Sequence, residues 1–154
     1  MQRFWDKVDK SDGCWQWKAG KDRHGYGRFG RGGKNDMAHR VSWELMNGNI
    51  PDGMDIDHRC RNVACVRPHP DHCRLATRKQ NIENHKGAQA NSSTGVRGVY
   101  RGSKASGQPH RFQARVQHNR KPIHLGWFDT VEEAQAAAVA KRNELFTYND
   151  ADRS

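Results

Sequence analysis

The stretch that decides the fold of this chain runs over residues 55–84 and reads DIDHRCRNVACVRPHPDHCRLATRKQNIEN. Residues 55–58 alternate as a short strand does, and residues 74–77 are suited to return as its partner. Thr77 followed three residues later by Gln80 has the pattern of a capping box, which predicts that a helix begins there. The stretch therefore predicts a β-hairpin followed by a helix, a ββα unit.

The long connection between the two predicted strands is rich in metal-binding side chains. It holds Cys60, Cys65, His69, His72 and Cys73. A ββα unit this small buries little apolar surface, so we expect a bound metal to hold the connection closed. The chain has four cysteines, and its first ten residues, MQRFWDKVDK, contain no apolar run of the kind expected in a secretory signal. This combination indicates a reducing compartment, where such clusters bind metal more often than they form disulfides.

Composition limits the classes of protein to consider. The chain has 154 residues, of which 34% are hydrophobic, so small stapled modules are expected rather than one large core. Its 27 Lys and Arg residues outnumber 17 Asp and Glu residues, and the net charge of +10 predicts a polyanionic partner such as nucleic acid. A membrane partner is not expected, because the sequence has no long apolar run and no basic amphipathic helix with a bulky apolar face.

The sequence before the hairpin predicts a short polar helix or arm over residues 1–13, then strands at the CWQWKAG and GYGRF segments. A helix is expected over residues 38–47, ended by Gly48. That helix carries Arg40, whose guanidinium stays charged and presents a fork of donors suited to phosphate oxygens. Arg40 is therefore the candidate phosphate clamp, with an ordinary solvated helix residue as the alternative.

Composition changes after the hairpin unit. Residues 85–93 lack bulky apolar side chains and are predicted to be a linker. Between Glu83 and Asp129 the chain has no acidic residue, a one-sided pattern that favours phosphate contact. Eight basic residues lie in this run: Lys86, Arg97, Arg101, Lys104, Arg111, Arg115, Arg120 and Lys121. Three short strands are predicted over residues 96–100, 111–117 and 122–127, followed by a helix over 131–146.

The first part of the chain resembles the HNH, or His-Me finger, nucleases, and among them the phage and intron-encoded homing endonucleases. The resemblance covers roughly residues 14–84 and rests on several motifs in the right order. They are C-W-x-W, G-Y-G-R-F, A-H-R, D-H-x-C-x-N-x-x-C-V, P-x-H and a terminal Asn. The resemblance implies that His58 is the general base of a phosphodiester hydrolysis, a role that suits an imidazole with a pKa near neutrality.

The same resemblance implies a catalytic divalent ion, Mg²⁺ or Mn²⁺, held by Asp57 and Asn81. Carboxylate and amide oxygens are suitable ligands for a hard cation. Neighbouring strand residues point to opposite faces, so Asp57 and His58 share a site only if the strand breaks or twists. Asn84 is the nearest alternative to Asn81.

The zinc-bearing branch of these nucleases, the His-Cys box enzymes, implies a structural zinc ion. Carried onto this sequence, its ligands are Cys14, Cys60, Cys65 and one residue in the P-x-H segment. His72 is our choice for that fourth ligand, with His69 and Cys73 as alternatives. A shell of three thiolates and one imidazole leaves no open position, so this zinc would be structural.

Residues 94–147 resemble the plant ethylene-response-factor DNA-binding domain, through V-R-G-V, L-G-x-F-D-T and an E-E-A-x-x-A helix. The resemblance implies a three-stranded sheet that enters the major groove with one helix behind it. Phe112, Arg115 and His124 depart from residues usual in that family, so the sequence preference is open. The candidate DNA-contacting residues are Arg97, Tyr100, Arg101, Arg111, Arg115, Gln117 and His124.

Together these observations predict an α+β protein: a zinc-stapled ββα-metal nuclease domain, then a three-stranded antiparallel sheet packed on one helix. The predicted boundaries are 1–84 for the nuclease domain, 85–93 for the linker, 94–147 for the DNA-binding domain and 148–154 for a tail. The expected function is site-preferring cleavage of double-stranded DNA in the cytoplasm of a bacterial or phage-infected cell. A non-catalytic zinc-containing DNA-binding regulator is the alternative. The sequence leaves open whether the protein is a monomer or a homodimer.

Overall fold

A computed structural model of the chain describes residues 1–85, 87–88 and 90–153. The chain divides into two compact units, Met1–Asn81 and Ile82–Ser154. Lys86 and Gln89 of the predicted linker, and Ser154 of the predicted tail, lie outside the described residues. Within the described part, no helix has the length and apolar character needed to cross a membrane.

The helices and strands are short, and the sheets are small and antiparallel. The elements up to the end of the hairpin unit are α1 (Gln2–Trp5), β1 (Val8–Asp9), β2 (Gln16–Trp17), β3 (Arg28–Arg31), β4 (Lys34–Met37), α2 (Ala38–Asn47), β5 (Met54–His58), β6 (Cys73–Thr77) and α3 (Arg78–Glu83). The later elements are β7 (Val99–Arg101), a 3₁₀ turn (Lys104–Ser106), β8 (Phe112–His118), β9 (Lys121–Phe128), α4 (Val131–Leu145) and α5 (Asp150–Arg153).

The hairpin of β5 and β6 lies where the sequence places it. Asp57 pairs with Arg74 across the two strands, and His58 pairs with Cys73. The Thr77 amide donates to the Gln80 side chain at 2.9 Å, and the Gln80 amide donates to the Thr77 hydroxyl at 3.2 Å. This reciprocal capping box satisfies two backbone donors and starts α3 directly after β6.

The core of the first unit is mostly aromatic. Phe4, Trp17 and Phe29 are buried and meet with ring centroids 5.1 to 6.0 Å apart. Full burial of one such side chain stabilises the fold by roughly 1.5–3 kcal/mol. Gly27 is needed beside this core, because a Cβ there would come within 2.6 Å of Trp17 and 2.9 Å of the Ala38 methyl. The glycine thus lets the start of α2 approach the β2 region closely.

The second unit is a three-stranded sheet, in the order β7, β8, β9, with a separate core. Alternate residues of β8, Ala114 and Val116, are buried in a cluster with Ala134 and Ala138 of α4. The small alanine side chains let the helix lie close to the sheet. Thr130 caps α4 through another capping box, with its hydroxyl accepting from the Glu133 amide at 3.2 Å.

The second unit extends beyond the predicted DNA-binding domain, residues 94–147, at both ends. The first unit ends at Asn81, three residues before the predicted boundary at 84. Asn84 is fully buried within the second unit, where its side-chain oxygen accepts from the Asp150 amide at 3.0 Å. The predicted tail contains α5, and its Asp152 accepts two bonds from the buried Arg142. The segment predicted as a tail thus includes a short helix and an ion pair to α4, which the sequence pattern did not indicate.

Candidate active site and metal centre

Four metal-binding side chains converge in the first unit. One donor atom from each of Cys14, Cys60, Cys65 and His72 lies within 4.8 Å of all the others. His72 Nδ1 is 3.5 Å from Cys14 Sγ and 3.8 Å from Cys65 Sγ. Tetrahedral zinc with bonds of about 2.3 Å to sulfur and about 2.0 Å to nitrogen needs a separation of roughly 3.6 Å. The four residues therefore form a group that fits zinc.

Backbone pairing brings the distant Cys14 segment to this group. Gln16 forms an antiparallel bridge with Cys65. The Val66 amide donates to the Trp15 carbonyl at 2.8 Å, between the same two backbone segments. Cys14 is thereby held beside residues that lie some fifty positions later in the sequence.

Two of the thiols in this group are hard to ionise without a metal. Hydrogen bonding with Cys65, followed by burial, raises the pKa of the Cys60 thiol. The contact with Cys60 lowers the pKa of Cys65, but Cys73 and burial outweigh it and raise that pKa to about 12. Burial lowers the pKa of His72, which keeps the imidazole neutral as a ligand must be. Binding of a cation would therefore have to displace protons from the thiols.

The two alternatives for the fourth ligand do not belong to the converging group. The His69 side chain is 53% exposed and faces Asp71 across 3.3 Å. Cys73 is buried, and its thiol donates to the Cys65 carbonyl at 3.9 Å. The converging group of the described residues includes neither of them.

His58, the expected general base, ends β5 and is only 8% exposed. Its Nε2 lies 3.0 Å from the Cys65 carbonyl oxygen. A carbonyl only accepts, so Nε2 carries the proton and Nδ1 keeps the basic lone pair. Burial lowers the pKa of His58, against the raising effect of this carbonyl bond. The imidazole is therefore held in one tautomer and favours the neutral form that can accept a proton.

Two further rings surround His58. The ring of His39 lies 4.8 Å away, centroid to centroid, at an interplanar angle of 72°. Tyr26 lies 5.9 Å from His58 and 5.7 Å from His39. Burial and the carboxylates of Asp22 and Asp57 raise the pKa of Tyr26, so its hydroxyl stays protonated. The three rings form a small polar cluster at the end of β5.

Asp57 is next to His58 in sequence and is also buried. Its Oδ2 accepts from Arg74 Nε at 3.1 Å and lies 3.0 Å from Arg74 Nη2. The strand register explains this pairing, because the two residues are directly opposite in the hairpin. A cationic side chain thus already lies against the carboxylate expected to bind the divalent ion.

Asn81, the other expected ligand, contacts a carboxylate that the sequence analysis did not single out. Its amide nitrogen donates to Asp55 Oδ2 at 3.2 Å. Arg78 Nη1 is 3.4 Å from the same oxygen. Because the amide nitrogen is turned to Asp55, the carbonyl end of Asn81 is turned away from it. Asp55 lies two residues before Asp57, so strand alternation was the signal that placed both on one face.

Arg40 follows His39 in the first turn of α2. Its Nη1 is 3.5 Å from the Met54 carbonyl, at the limit of a hydrogen bond. This weak contact places the guanidinium near the start of β5.

In the second unit, the sheet carries a polar face opposite α4. Ala114 and Val116 point into the core, so Arg115 and Gln117 point to the other side. His124 pairs with Arg115 across the neighbouring strand and shares that face. These side chains form what we call the outer face of the sheet.

Tyr100 also belongs to the outer face. It pairs with Gln113 and is 43% exposed. The guanidinium of Arg115 lies 4.4 Å from its ring centroid, a cation–π distance. Gln113 and its partner Trp127 complete this face. The sequence analysis missed these two, although their spacing in the strands would have indicated them.

Three of the predicted DNA-contacting residues make contacts within the unit that the sequence did not indicate. Arg101 pairs with Phe112 on the side of α4, and its guanidinium lies 5.2 Å from that ring. Arg111 donates to Asp129 at 2.8 Å. Arg97 donates to a backbone carbonyl at the end of α3, 3.1 Å away. Their position in an acid-free run could not distinguish structural arginines from those on the outer face.

A comparison with known protein families finds a match around His58. Residues 36–82 match the model of a family described as HNH endonuclease. The matched segment contains α2, the whole β5–β6 hairpin and nearly all of α3. The match includes Asp57, His58 and Asn81.

Two phage proteins are similar to parts of the chain. Protein 7.7 of Escherichia phage T7 is 37% identical over 79 residues, which are 50% of this chain and 59% of that protein. The uncharacterized gene 5.3 protein of Enterobacteria phage T3 is 41% identical over 54 residues, or 35% of this chain and 48% of that protein. The chain thus spans about half the length of these curated relatives. No solved structure matches the chain.

Proposed function

We propose that the protein is a metal-dependent DNA endonuclease of the homing type. The observation that carries the proposal is the state of His58, inside the segment that matches the HNH endonuclease family. This imidazole is buried, and its Nε2 is held by the Cys65 carbonyl at 3.0 Å. A histidine fixed in this way, with a lowered pKa, is suited to accept a proton near neutral pH.

The reaction that fits this arrangement is hydrolysis of a phosphodiester. Nδ1 of His58 accepts a proton from a water molecule as that water attacks phosphorus. The bond from phosphorus to the 3′ oxygen breaks, and that oxygen takes a proton from solvent, which leaves a 5′-phosphate and a 3′-hydroxyl. General-base assistance of this kind typically contributes 10²–10⁴-fold to the rate.

Asp57 and Asn81 are the residues that would hold a divalent ion. Their oxygen atoms are the donors that Mg²⁺ or Mn²⁺ prefers. When bound, such an ion neutralises charge on the phosphate and on the leaving oxygen. Asp55 acts on Asn81 by accepting from its amide nitrogen, which fixes which end of the amide is presented. Arg74 fixes the Asp57 carboxylate from across the hairpin.

The Cys14, Cys60, Cys65 and His72 group would hold structural zinc. Its four donors complete a tetrahedral shell, so we assign it no part in the chemistry. Its contribution is to close the connection that carries Cys65, whose carbonyl orients His58. The metal group and the general base are in this way joined through one residue.

The net charge and the second unit support duplex DNA as the substrate. The chain carries a net charge of +10. The outer face of the sheet presents Arg115, Gln117, His124 and Tyr100, which can contact phosphates or base edges. By this proposal the first unit cuts the DNA of a phage-infected cell and the second unit, an ethylene-response-factor-type domain, selects where.

A plasmid cleavage assay tests the proposal. Supercoiled plasmid is incubated with the protein, with and without Mg²⁺, and the nicked and linear products are separated on a gel. We expect cleavage only with the ion, and His58→Ala should lower the rate by 10²–10⁴-fold or so because the general base is lost. DNA affinity and thermal stability should change little.

The control variant is His69→Ala, since His69 is exposed and outside the metal group. It should cut like the wild type. A wild-type protein that binds DNA but does not cut it under any of these conditions would favour a DNA-binding regulator instead. Equal rates for His58→Ala and the wild type would remove His58 from the role of base.

A further inference from the structure

His39 has a position that its sequence context alone does not explain. It lies in the first turn of α2, is 8% exposed, and its ring meets the ring of His58 edge-on at 4.8 Å. The backbone at this point is fixed, because the Ala38 amide donates to the Gly27 carbonyl at 2.8 Å. Gly27 also follows Tyr26, the third ring of the cluster. The fold therefore places His39 beside the expected general base from a different element.

The ring nitrogen Nδ1 of His39 is buried and has no hydrogen-bond partner among the described residues. A buried polar atom without a partner lowers stability. A phenyl ring would fill nearly the same space and make the same edge contact without this penalty. An imidazole at this position is therefore best explained by a polar task that packing does not require.

His39 also stays uncharged. Burial, followed by the electrostatic effects of His58, Arg40 and Arg28, lowers the pKa of His39 to about 3, while Asp22 opposes the shift. A neutral imidazole has one N–H donor and one lone pair. A buried N–H without an acceptor is rarer than a buried acceptor without a donor. The proton therefore belongs on Nε2, with the lone pair on the buried Nδ1.

We propose that His39 is a second catalytic histidine, whose Nε2–H donates a hydrogen bond to a non-bridging oxygen of the scissile phosphate. The inference rests on the proposed endonuclease function. The distance from His58 through a bonded water to the phosphate is longer than the 4.8 Å between the ring centroids of His58 and His39. A phosphate attacked by that water is thus within range of His39. His39 transfers no proton, and it stabilises the negative charge that grows on the phosphate oxygens in the transition state.

Three substitutions separate this role from packing. His39→Phe keeps the ring and removes both nitrogens. His39→Gln restores an N–H close to the position of Nε2, whereas His39→Asn places its N–H close to the position of Nδ1. Single-turnover cleavage rates are measured with enzyme in excess over plasmid, in Mg²⁺. Affinity for uncut DNA is measured separately without divalent ions, and folding is checked by thermal melting.

We expect His39→Phe to melt no lower than the wild type and to cut 10²–10³-fold more slowly, the usual loss for one donor to a developing oxyanion. Its affinity for uncut DNA should stay within about threefold, since the donor acts mainly in the transition state. His39→Gln should recover at least tenfold of the rate lost in His39→Phe. His39→Asn should not.

A His39→Phe variant that cuts within about threefold of the wild type overturns the proposal, because the ring contact alone then suffices. If that variant does not fold, equal rates for His39→Gln and His39→Asn overturn it instead. The His58→Ala variant is run in parallel. If His58→Ala loses cleavage but His39→Phe does not, this inference fails and the proposed function stands. If the wild-type protein never cuts DNA, the proposed function fails as well.

Discussion

The two units are stabilised by different means, although each is small. In the first unit, Cys14 and His72 meet across 58 positions of sequence, and the cluster that they join can hold a metal. In the second unit, the core is an ordinary apolar contact between neighbouring strands and α4. All four cysteines belong to the first unit. Closing a long loop costs conformational entropy, so a distant metal group is useful where local contacts are few.

The comparison also concerns the sites. The first unit buries polar groups, among them His39, Asp57 and His58, at the end of one hairpin. The second unit also buries polar side chains, such as Asn84 and Arg142, but it carries a further set of polar residues on an exposed sheet face with apolar ones behind it. Buried polar groups suit chemistry, because their hydrogen bonds and charge states are set by the fold. An exposed polar face suits recognition of a long polyanion.

The largest expected effect is loss of the zinc group. Cys60→Ser should remove the bound zinc and leave the first unit unfolded or protease-sensitive, since structural zinc supplies about 10–16 kcal/mol of folding free energy in small domains. The second unit should stay folded. Elemental analysis gives the zinc content, and limited proteolysis with mass spectrometry of the fragments shows which unit is cut.

Cys73→Ala is the matched control, because Cys73 is a buried cysteine outside the converging group. It should retain one zinc per chain. Wild-type protein without zinc after purification in the absence of chelators would contradict the prediction. Simultaneous digestion of both units in Cys60→Ser would contradict the difference drawn between them.

A smaller effect is expected at the ion pair of Arg142 and Asp152 in the second unit. Arg142 Nη2 donates to Asp152 at 3.0 Å, and the two side chains are 4% and 13% exposed. Asp152→Ala would leave a buried charge alone and should lower the free energy of unfolding of this unit by roughly 3–5 kcal/mol. Glu144→Ala, which breaks an exposed pair with Lys141, should cost less than about 1 kcal/mol. Urea melts of the two variants make the comparison.

The same pair predicts a dependence of stability on pH. Burial raises the pKa of Asp152, but the hydrogen bond and charge of Arg142 outweigh it and hold that pKa below 3.8, its ordinary value. The folded state therefore binds the proton less readily than the unfolded state. The stabilisation is complete above about pH 4 and is lost as pH falls through the lowered pKa. The free energy of unfolding is measured against pH for the wild type and for Asp152→Ala. Equal losses in the two proteins below pH 4 would contradict the prediction.

The smallest effect is expected on the outer face of the sheet. Arg115→Ala should weaken DNA binding by about 1–3 kcal/mol if the side chain reads a base. If it contacts only phosphate, the slope of log K against log salt should fall by about 0.9. Arg101→Ala is the control from the opposite face and should bind nearly as the wild type does. Binding titrations at several salt concentrations distinguish these cases. Equal weakening by both variants would show that the outer face has no special role.

Local sequence determined many of the elements. The Thr77 and Gln80 capping box, the helix over residues 38–47 and the alternation in β8 all depend on neighbours a few positions apart. Short-range patterns of this kind report backbone preferences and burial of one face directly. They placed His58 at the end of a strand, and the resemblance to a nuclease family gave it a role.

Other features needed the tertiary structure. The pairing of Asn81 with Asp55 depends on how α3 returns to β5, and the segregation of Arg101 from Arg115 depends on the sheet register. Neither feature follows from charge or motif. An acid-free run has the same sequence pattern whether its arginines lie on one face of the sheet or on both.

What the sequence alone determined, then, is the set of chemical groups: the cysteines and histidines for a metal, an imidazole after a short strand, and a basic second half. What only the tertiary structure decided is which of them meet. His72, which the resemblance had only favoured over His69 and Cys73, joins the thiols, and His39 lies against His58 although the two are 19 positions apart. Such contacts depend on loop closure and on the packing of whole elements, which are set by the free energy of the complete fold and leave no local pattern.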